Sequence, residues 1–248
     1  MYSTRLSVLD HDPAALDALW EALQPDDGRR DPFIRAVMIS SVDGRTTIDG
    51  RSAGLGTPTD QLVYHAMRAR ADLILVGSGT VLSEGYGPAG IADVWADRRD
   101  APPPEILVLT GSMSESLIDH CAGTGPGMSI VADHDAPANR VDLARRRGVT
   151  VHVLPPGPTG LGVRSVLTEL GAREVAFEGG PRALGALLAE DAVDELVLSI
   201  APQLVVGGTA TPLAEGPDLT RVPMRVTTAF TCPQGGLYTR WSITGVHR

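Results

Sequence analysis

Cysteine is scarce in this chain of 248 residues: only Cys121 and Cys232 occur, far apart and outside any Cys-x-x-Cys or mixed His/Cys ligand spacing. A disulfide framework and a thiolate zinc site are therefore not expected, and a reducing compartment fits best. The six histidines, His11, His65, His120, His134, His152 and His247, are dispersed too, with no metal-ligand spacing between any two, so no metal is expected. His65 reads as a surface or core-edge residue on a helix. Aromatics make up 4% of the chain, too few for a base-stacking platform. No apolar run approaches the roughly 20 residues needed to span a bilayer, and Met1 to Asp10 lacks an apolar signal core, so a soluble, cytoplasmic protein is expected. Positive charge is also in deficit. Thirty acidic residues face 21 basic ones, a net charge of −9, and the only basic cluster, Arg145 to Arg147, sits late in a helical pattern where cations suit the helix C-terminus. That argues against a phosphate-neutralising nucleic-acid surface.

What is present is a large apolar fraction, 43%, punctuated by 28 glycines and 19 prolines, a composition suited to a globular small-molecule enzyme. Residues 1–30 read as an N-terminal helix, Pro13 to Leu23, followed by a polar linker; residues 31–248 read as the main domain. From Phe33 onward strand-like runs alternate with helical patterns, the mark of an α/β sheet. The runs are Phe33 to Val42, Leu73 to Val76, Ile106 to Leu109, Met128 to Val131, Val149 to Leu154 and Glu174 to Phe177. Helices are expected at Pro58 to Arg70, with Thr57 as cap, and at Pro137 to Arg147, Leu161 to Leu170 and Pro181 to Ala189. Glu195 to Ala201, Val222 to Phe230 and Leu237 to Ile243 then follow without helices between them. Gln234 to Gly236 suggests a hairpin turn, so parallel units should close with an antiparallel hairpin.

Three glycine-bearing strand ends could carry chemistry. Leu73 to Val76 runs into Gly77, Ser78, Gly79 and Thr80, where backbone N–H groups at a helix start could hold a phosphate, although neither a Rossmann fingerprint nor a P-loop is present. Val175 to Phe177 ends in Glu178, Gly179, Gly180 and Pro181 before another helix, and the adjacent glycines permit close approach of an anionic ligand. Ligands of open α/β sheets bind at that edge. A third cluster, Ser40, Ser41, Val42, Asp43 and Gly44, is followed by a flexible loop from Gly50 to Gly54 and could hold a polar heterocycle or simply close the strand with an Asp-Gly turn.

Taken together, Ser41-Val42-Asp43-Gly44-Arg45, Val76-Gly77-Ser78-Gly79-Thr80-Val81-Leu82 and Phe177-Glu178-Gly179-Gly180-Pro181, with Val193 to Leu196 and Ala201-Pro202 ahead of Gly207-Gly208, resemble the pyrimidine reductase of riboflavin biosynthesis. The resemblance covers about Asp31 to Arg248. It implies a dihydrofolate-reductase-like fold, a mixed, mostly parallel sheet flanked by helices, with NADPH across its C-terminal edge, and a homodimer. It further implies that Val76, Gly77, Ser78, Gly79 and Thr80, together with Gly179, Gly180, Pro181, Arg182, Ala183 and Leu184, hold the cofactor phosphates, and that Thr110, Gly111 and Ser112 approach the adenosine end. Ser40 and Ser41 would lie near the nicotinamide. Asp43, Ser52, Arg68 and Glu178 would face the substrate, Asp43 and Glu178 as the catalytic carboxylates. The implied reaction delivers hydride to C1′ of a ribosylaminopyrimidine. A pterin reductase on the same scaffold is the nearest alternative, and a non-catalytic nucleotide-binding module a third.

The chain departs from the family pattern in three places. No deaminase motif of the His-x-Glu and Pro-Cys-x-x-Cys kind occurs, so deamination is not expected. After Thr80 the usual Asp-Pro pair and a downstream phosphate-contacting Arg give way to Glu84-Gly85-Tyr86-Gly87-Pro88-Ala89-Gly90, which leaves Arg68 as the expected phosphate ligand. Gly54 stands where a tryptophan is usual.

Overall fold

The computed structural model describes residues 13–26, 29–208, 211–216 and 221–245; His11 and His247 lie outside them. In chain order the elements are α1 (Pro13–Ala22), β1 (Phe33–Ser41), α2 (Pro58–Arg70), β2 (Leu73–Gly77), α3 (Ser78–Glu84), α4 (Asp93–Ala96), β3 (Glu105–Thr110), α5 (Glu115–Gly123), β4 (Met128–Ala132), α6 (Ala138–Arg146), β5 (Val151–Val153), α7 (Thr159–Glu169), β6 (Glu174–Phe177), α8 (Pro181–Ala189), β7 (Glu195–Ala201), β8 (Met224–Thr231) and β9 (Leu237–Ile243). They build one sheet of order β5-β4-β3-β2-β6-β1-β7-β9-β8. Every pairing from β5 to β7 is parallel, while β9 runs antiparallel to both β7 and β8. This is the expected mixed, mostly parallel sheet closed by a C-terminal hairpin, whose turn places Gly235 at φ +87°.

Strand β1 is central, with Phe33 beside Glu174 on one side and Arg35 beside Glu195 on the other. The parallel strands read as continuous apolar runs because helices cover both faces. On one face α7 and α8 pack Val163, Leu167, Leu184 and Leu187 onto Leu75, Leu107 and Phe177. On the other, α3, α5 and α6 cover Ile74, Val76, Ile106 and Ile130. Beside them α2 buries Val63, Ala66 and Met67 in a third cluster. Its start was legible because Thr57 Oγ1 accepts from the Asp60 N–H at 3.1 Å and Pro58 opens the first turn.

The N-terminal helix α1 shares that third cluster. Leu19 and Leu23 are buried with Met67, Trp95, Val197 and Phe230, and the Trp20 and Trp95 rings lie 5.5 Å apart. Two arginines hold its last turns: Arg70 Nη2 donates to Trp20 O at 2.7 Å, and Arg240 Nη1 to Ala22 O at 2.9 Å. At the N-terminal ends of the parallel strands lies a buried chain of charge. Arg35 bonds Glu174 at 2.9 Å and Glu195 at 2.6 Å, and Arg240 donates to Glu195 at 2.6 Å. Each buried charge there has an opposite neighbour, the condition for tolerating it. Two helices were not anticipated from the sequence, α4 and α5. Helix α5 is nine residues long and buries only Leu117, Ile118 and Cys121, too few apolar positions to stand out among flanking Gly, Ser and Thr. No helix among the described residues is long and apolar enough to cross a membrane.

Candidate functional site

Strands β2 and β6 are neighbours, yet their helices leave to opposite faces, α3 to one and α8 to the other. A crevice opens at the C-terminal end of such a pair. Here β2 ends in Gly77 and β6 leads through Glu178 into Gly179 and Gly180, and the two turns pack on each other: Gly77 N–H donates to Gly179 O at 2.9 Å. A Cβ on Gly77 would stand 3.3 Å from that same oxygen, and one on Gly180 would stand 3.3 Å from the Gly77 Cα. Gly179 and Gly180 also hold φ of +120° and +100°, a region that L side chains rarely enter. Glycine is thus required twice over, for conformation and for contact.

The crevice widens into a cleft of about 890 Å³, within the size range of ligand pockets. It follows the sheet edge in strand order. Asp133 past β4, Thr110 and Gly111 at β3, the paired turns at β2 and β6, and Val37 to Ile39 of β1 all line it. Of the residues singled out in the sequence, Ser52, Gly77, Ser78, Gly79, Thr80, Thr110, Gly111, Glu178, Gly179, Gly180, Pro181, Arg182 and Ala183 line this one cleft. The others are placed differently. Val76 and Leu184 are core residues, and Ser40 and Ser41 are buried at the end of β1. Ser112 is exposed outside the lining.

Asp43 is the clearest correction. It is exposed and lies outside the cleft lining, where its Oδ1 accepts from Ser41 Oγ at 2.7 Å and from Val205 N–H at 3.0 Å. Arg45 stands 3.5 Å from its other oxygen. The Ser41 hydroxyl first, and then the Val205 N–H, hold its carboxyl below the usual range. Asp43 therefore clasps one loop to another, and the Asp-Gly turn is what the sequence was encoding there.

Arg68 is corrected too. Its guanidinium neither reaches into open cleft nor caps carbonyls; it is forked onto Glu178, Nε to Oε1 at 2.7 Å and Nη2 to Oε2 at 2.6 Å. The Tyr64 hydroxyl donates to the same Oε2 at 3.0 Å, and Arg68 lies over the Tyr64 ring at 4.5 Å and the Tyr86 ring at 5.6 Å. Burial alone would depress the guanidinium, but the Glu178 bonds and charge more than reverse this and raise its pKa. Burial first, then the Glu178 charge, pushes both phenols up, so Tyr64 and Tyr86 stay protonated donors at the cleft wall.

Asp60 was overlooked as a site residue because its place in the first turn of α2 already explained it. The structure puts it in the cleft lining beside Gln61 and Tyr64. Burial raises its carboxyl above the usual range, opposed by a bond from Ser199. Glu84, also unforeseen, accepts from Ser52 N–H at 2.7 Å and so fixes the loop that forms one lip.

Residues 32–238 match the RibD C-terminal domain. The chain belongs to that family. Over 182 residues it is 30% identical to the riboflavin biosynthesis protein RibD of Mycobacterium tuberculosis, a match that takes in 73% of this chain and 44% of that protein. It thus spans less than half the length of that relative. It is also 25% identical over 197 residues to a protein of Methanothermobacter thermautotrophicus named 2,5-diamino-6-ribosylamino-4(3H)-pyrimidinone 5′-phosphate reductase, covering 75% of this chain and 84% of the relative. A solved pyrimidine reductase-like protein from Corynebacterium diphtheriae superimposes with a TM-score of 0.77 at 23% identity, covering 93% of this chain and 99% of that one. For the Saccharomyces cerevisiae riboflavin biosynthesis reductase Rib7 the values are 0.63, 19%, 92% and 99%. At those identities the superpositions establish a shared fold. In this RibD C-terminal domain the described cleft lies wholly within the matched segment.

Proposed function

We propose that this chain is a nicotinamide-dinucleotide-dependent reductase of a ribosylaminopyrimidine. The observation that carries this reading is the two-part cleft. A clamp of interlocked glycine turns at the β2/β6 switch point runs straight into a polar chamber walled by Tyr64, Tyr86, Asp60 and Glu178. The residues fit an extended diphosphate-bridged ligand: Gly79 and Gly111 line the cleft where a Cβ would meet open space, and the α8 N-terminus opens behind Gly180. Bound there, the dinucleotide supplies hydride from its nicotinamide ring.

The protein's part is positioning, exclusion of water and proton supply. Glu178 has a side chain 1% exposed and both oxygens already engaged, so it orients Arg68 and Tyr64 rather than the substrate. The two phenols present hydroxyl groups to the polar edge of a heterocycle. Asp60, a cleft-lining carboxyl that burial shifts upward, is the candidate to relay a proton beside the reacting carbon. The test is spectrophotometric oxidation of reduced dinucleotide with the phosphoribosylaminopyrimidine as substrate. No turnover by a folded protein would remove the reading.

One observation favours a second reading. Arg68 is committed to Glu178, and among the described lining residues the only arginine is Arg182, whose side chain is 87% exposed at the α8 end. A substrate without a phosphate, such as a dihydropterin, suits that chamber. Faster turnover of dihydrofolate than of the phosphorylated pyrimidine would select it.

A further inference from the structure

Resting on the dinucleotide reading of the cleft, we propose that the site selects NADH over NADPH and that Asp133 is the residue that reads the adenosine ribose. The polar chamber proposed to face the heterocycle lies on the β6 to β7 side, where Tyr64 and Tyr86 meet at Glu178 beyond β6 and Asp60 takes a bond from Ser199 of β7, so the nicotinamide half is assigned there. With the diphosphate at β2 and β6, the adenosine half extends over the ends of β3 and β4, where Thr110, Gly111 and Asp133 form the lining.

Among the described lining residues, that end of the cleft carries a carboxylate and no cationic side chain. A ribose 2′-phosphate bears close to two negative charges and calls for an arginine or lysine, whereas a carboxylate at a strand end accepts from the 2′-hydroxyl of NAD and repels the phosphate. The chain has no lysine at all. The arginines in and just after α6 stay outside the cleft lining: Arg140 bonds Glu115 at 2.9 Å, Arg147 pairs with Asp119, Arg145 donates to Val151 O at 3.3 Å, and Arg146 is exposed on the last turn. His134 turns its Nδ1 onto Asp133 Oδ1 at 2.8 Å, and the His134 N–H donates to that same oxygen at 2.7 Å. Both contacts fall on Oδ1, which holds the carboxylate in place and leaves Oδ2 to accept from a ribose hydroxyl. Asp133 is half-buried, and Asp135 in the same turn adds a second negative charge against a phosphate. The Asp133 backbone N–H donates to Thr110 O at 3.0 Å, which ties the β4 turn to the β3 end. This departs from the NADPH that the family resemblance implied.

The experiment is a fluorescence titration of the full chain with NADH and with NADPH at pH 8, repeated for Asp133→Asn and Asp133→Arg. The wild type should bind NADH at least about tenfold more tightly. Asp133→Asn should narrow that ratio and Asp133→Arg should invert it, with melting temperatures close to wild type because the residue sits in a surface turn. Equal or tighter binding of NADPH by the wild type would overturn the assignment and leave the dinucleotide reading standing. An unchanged ratio in Asp133→Asn would overturn the role of Asp133. Binding of neither dinucleotide would overturn both readings together.

Discussion

Arg68 and Glu178 meet fork to fork behind the cleft wall that Glu178 lines, at 2.6 and 2.7 Å, with the carboxylate almost entirely enclosed. Removing one partner of such a pair strands a buried charge, which costs about 3–5 kcal/mol. Arg68→Met should therefore lower the melting temperature more than the double variant Arg68→Met, Glu178→Gln, in which the uncompensated charge is gone. Thermal melts of the two single variants and the double variant check this, and equal melting temperatures for Arg68→Met and the double would exclude it. On the proposed reading, the turnover of Arg68→Met should fall alike for phosphorylated and dephosphorylated substrate, because the guanidinium is forked onto Glu178 and lies outside the cleft lining.

The glycine turns separate shape from binding. Gly79 is the second residue of α3 and has nothing within 4 Å of a would-be Cβ. Gly79→Ala should hold or raise stability, by up to ~1 kcal/mol from helix propensity, while weakening dinucleotide binding. Gly180→Val should lose both, since its φ of +100° and the Gly77 Cα at 3.3 Å leave no room. Paired melts and nucleotide titrations distinguish the two patterns.

Asp60 should show an inverse pH signature. Its folded carboxyl is raised above the usual 3.8 by burial. Above that value the folded state therefore retains more proton than the unfolded chain, and stability drops as the pH rises through the folded value. Below the usual value both states are protonated and the penalty vanishes. Asp60→Asn should melt higher than wild type at neutral pH and not at pH 3, while losing turnover by at least about tenfold, ~1.4 kcal/mol. A destabilised Asp60→Asn at neutral pH would contradict this account.

Asp43→Asn is expected to retain turnover within about threefold, because its carboxylate holds the loop at Val205 and lies outside the cleft lining. A loss as large as that of Asp60→Asn, measured as kcat/KM, would restore the catalytic role that the family resemblance implied.

These contrasts reflect what a sequence can carry. Pro58 to Arg70 was readable in full because its cap, first-turn proline and apolar spacing all lie within a few residues. The glycine turns were readable because backbone demands leave a residue-type signature at the site itself. The chamber was not. Tyr64 meets Glu178 across 114 positions and Asp43 meets Val205 across 162, so no local pattern records either contact. The carboxylates at 43, 60 and 178 look alike in sequence; burial and partners make one a loop clasp, place one in the cleft lining with a raised carboxyl, and fork one onto Arg68.

Helix α1 gives the matched segment a hidden dependency. The family match begins at residue 32, but the apolar cluster beneath α2 is sealed by Leu19 and Leu23, and two arginines hook the helix by its carbonyls. A chain trimmed at the homology border would open a greasy furrow beside Trp95 and leave Arg70 and Arg240 without acceptors they now hold. Such a furrow invites self-association. The segment that matches the family and the segment that closes this apolar cluster thus have different N-terminal edges.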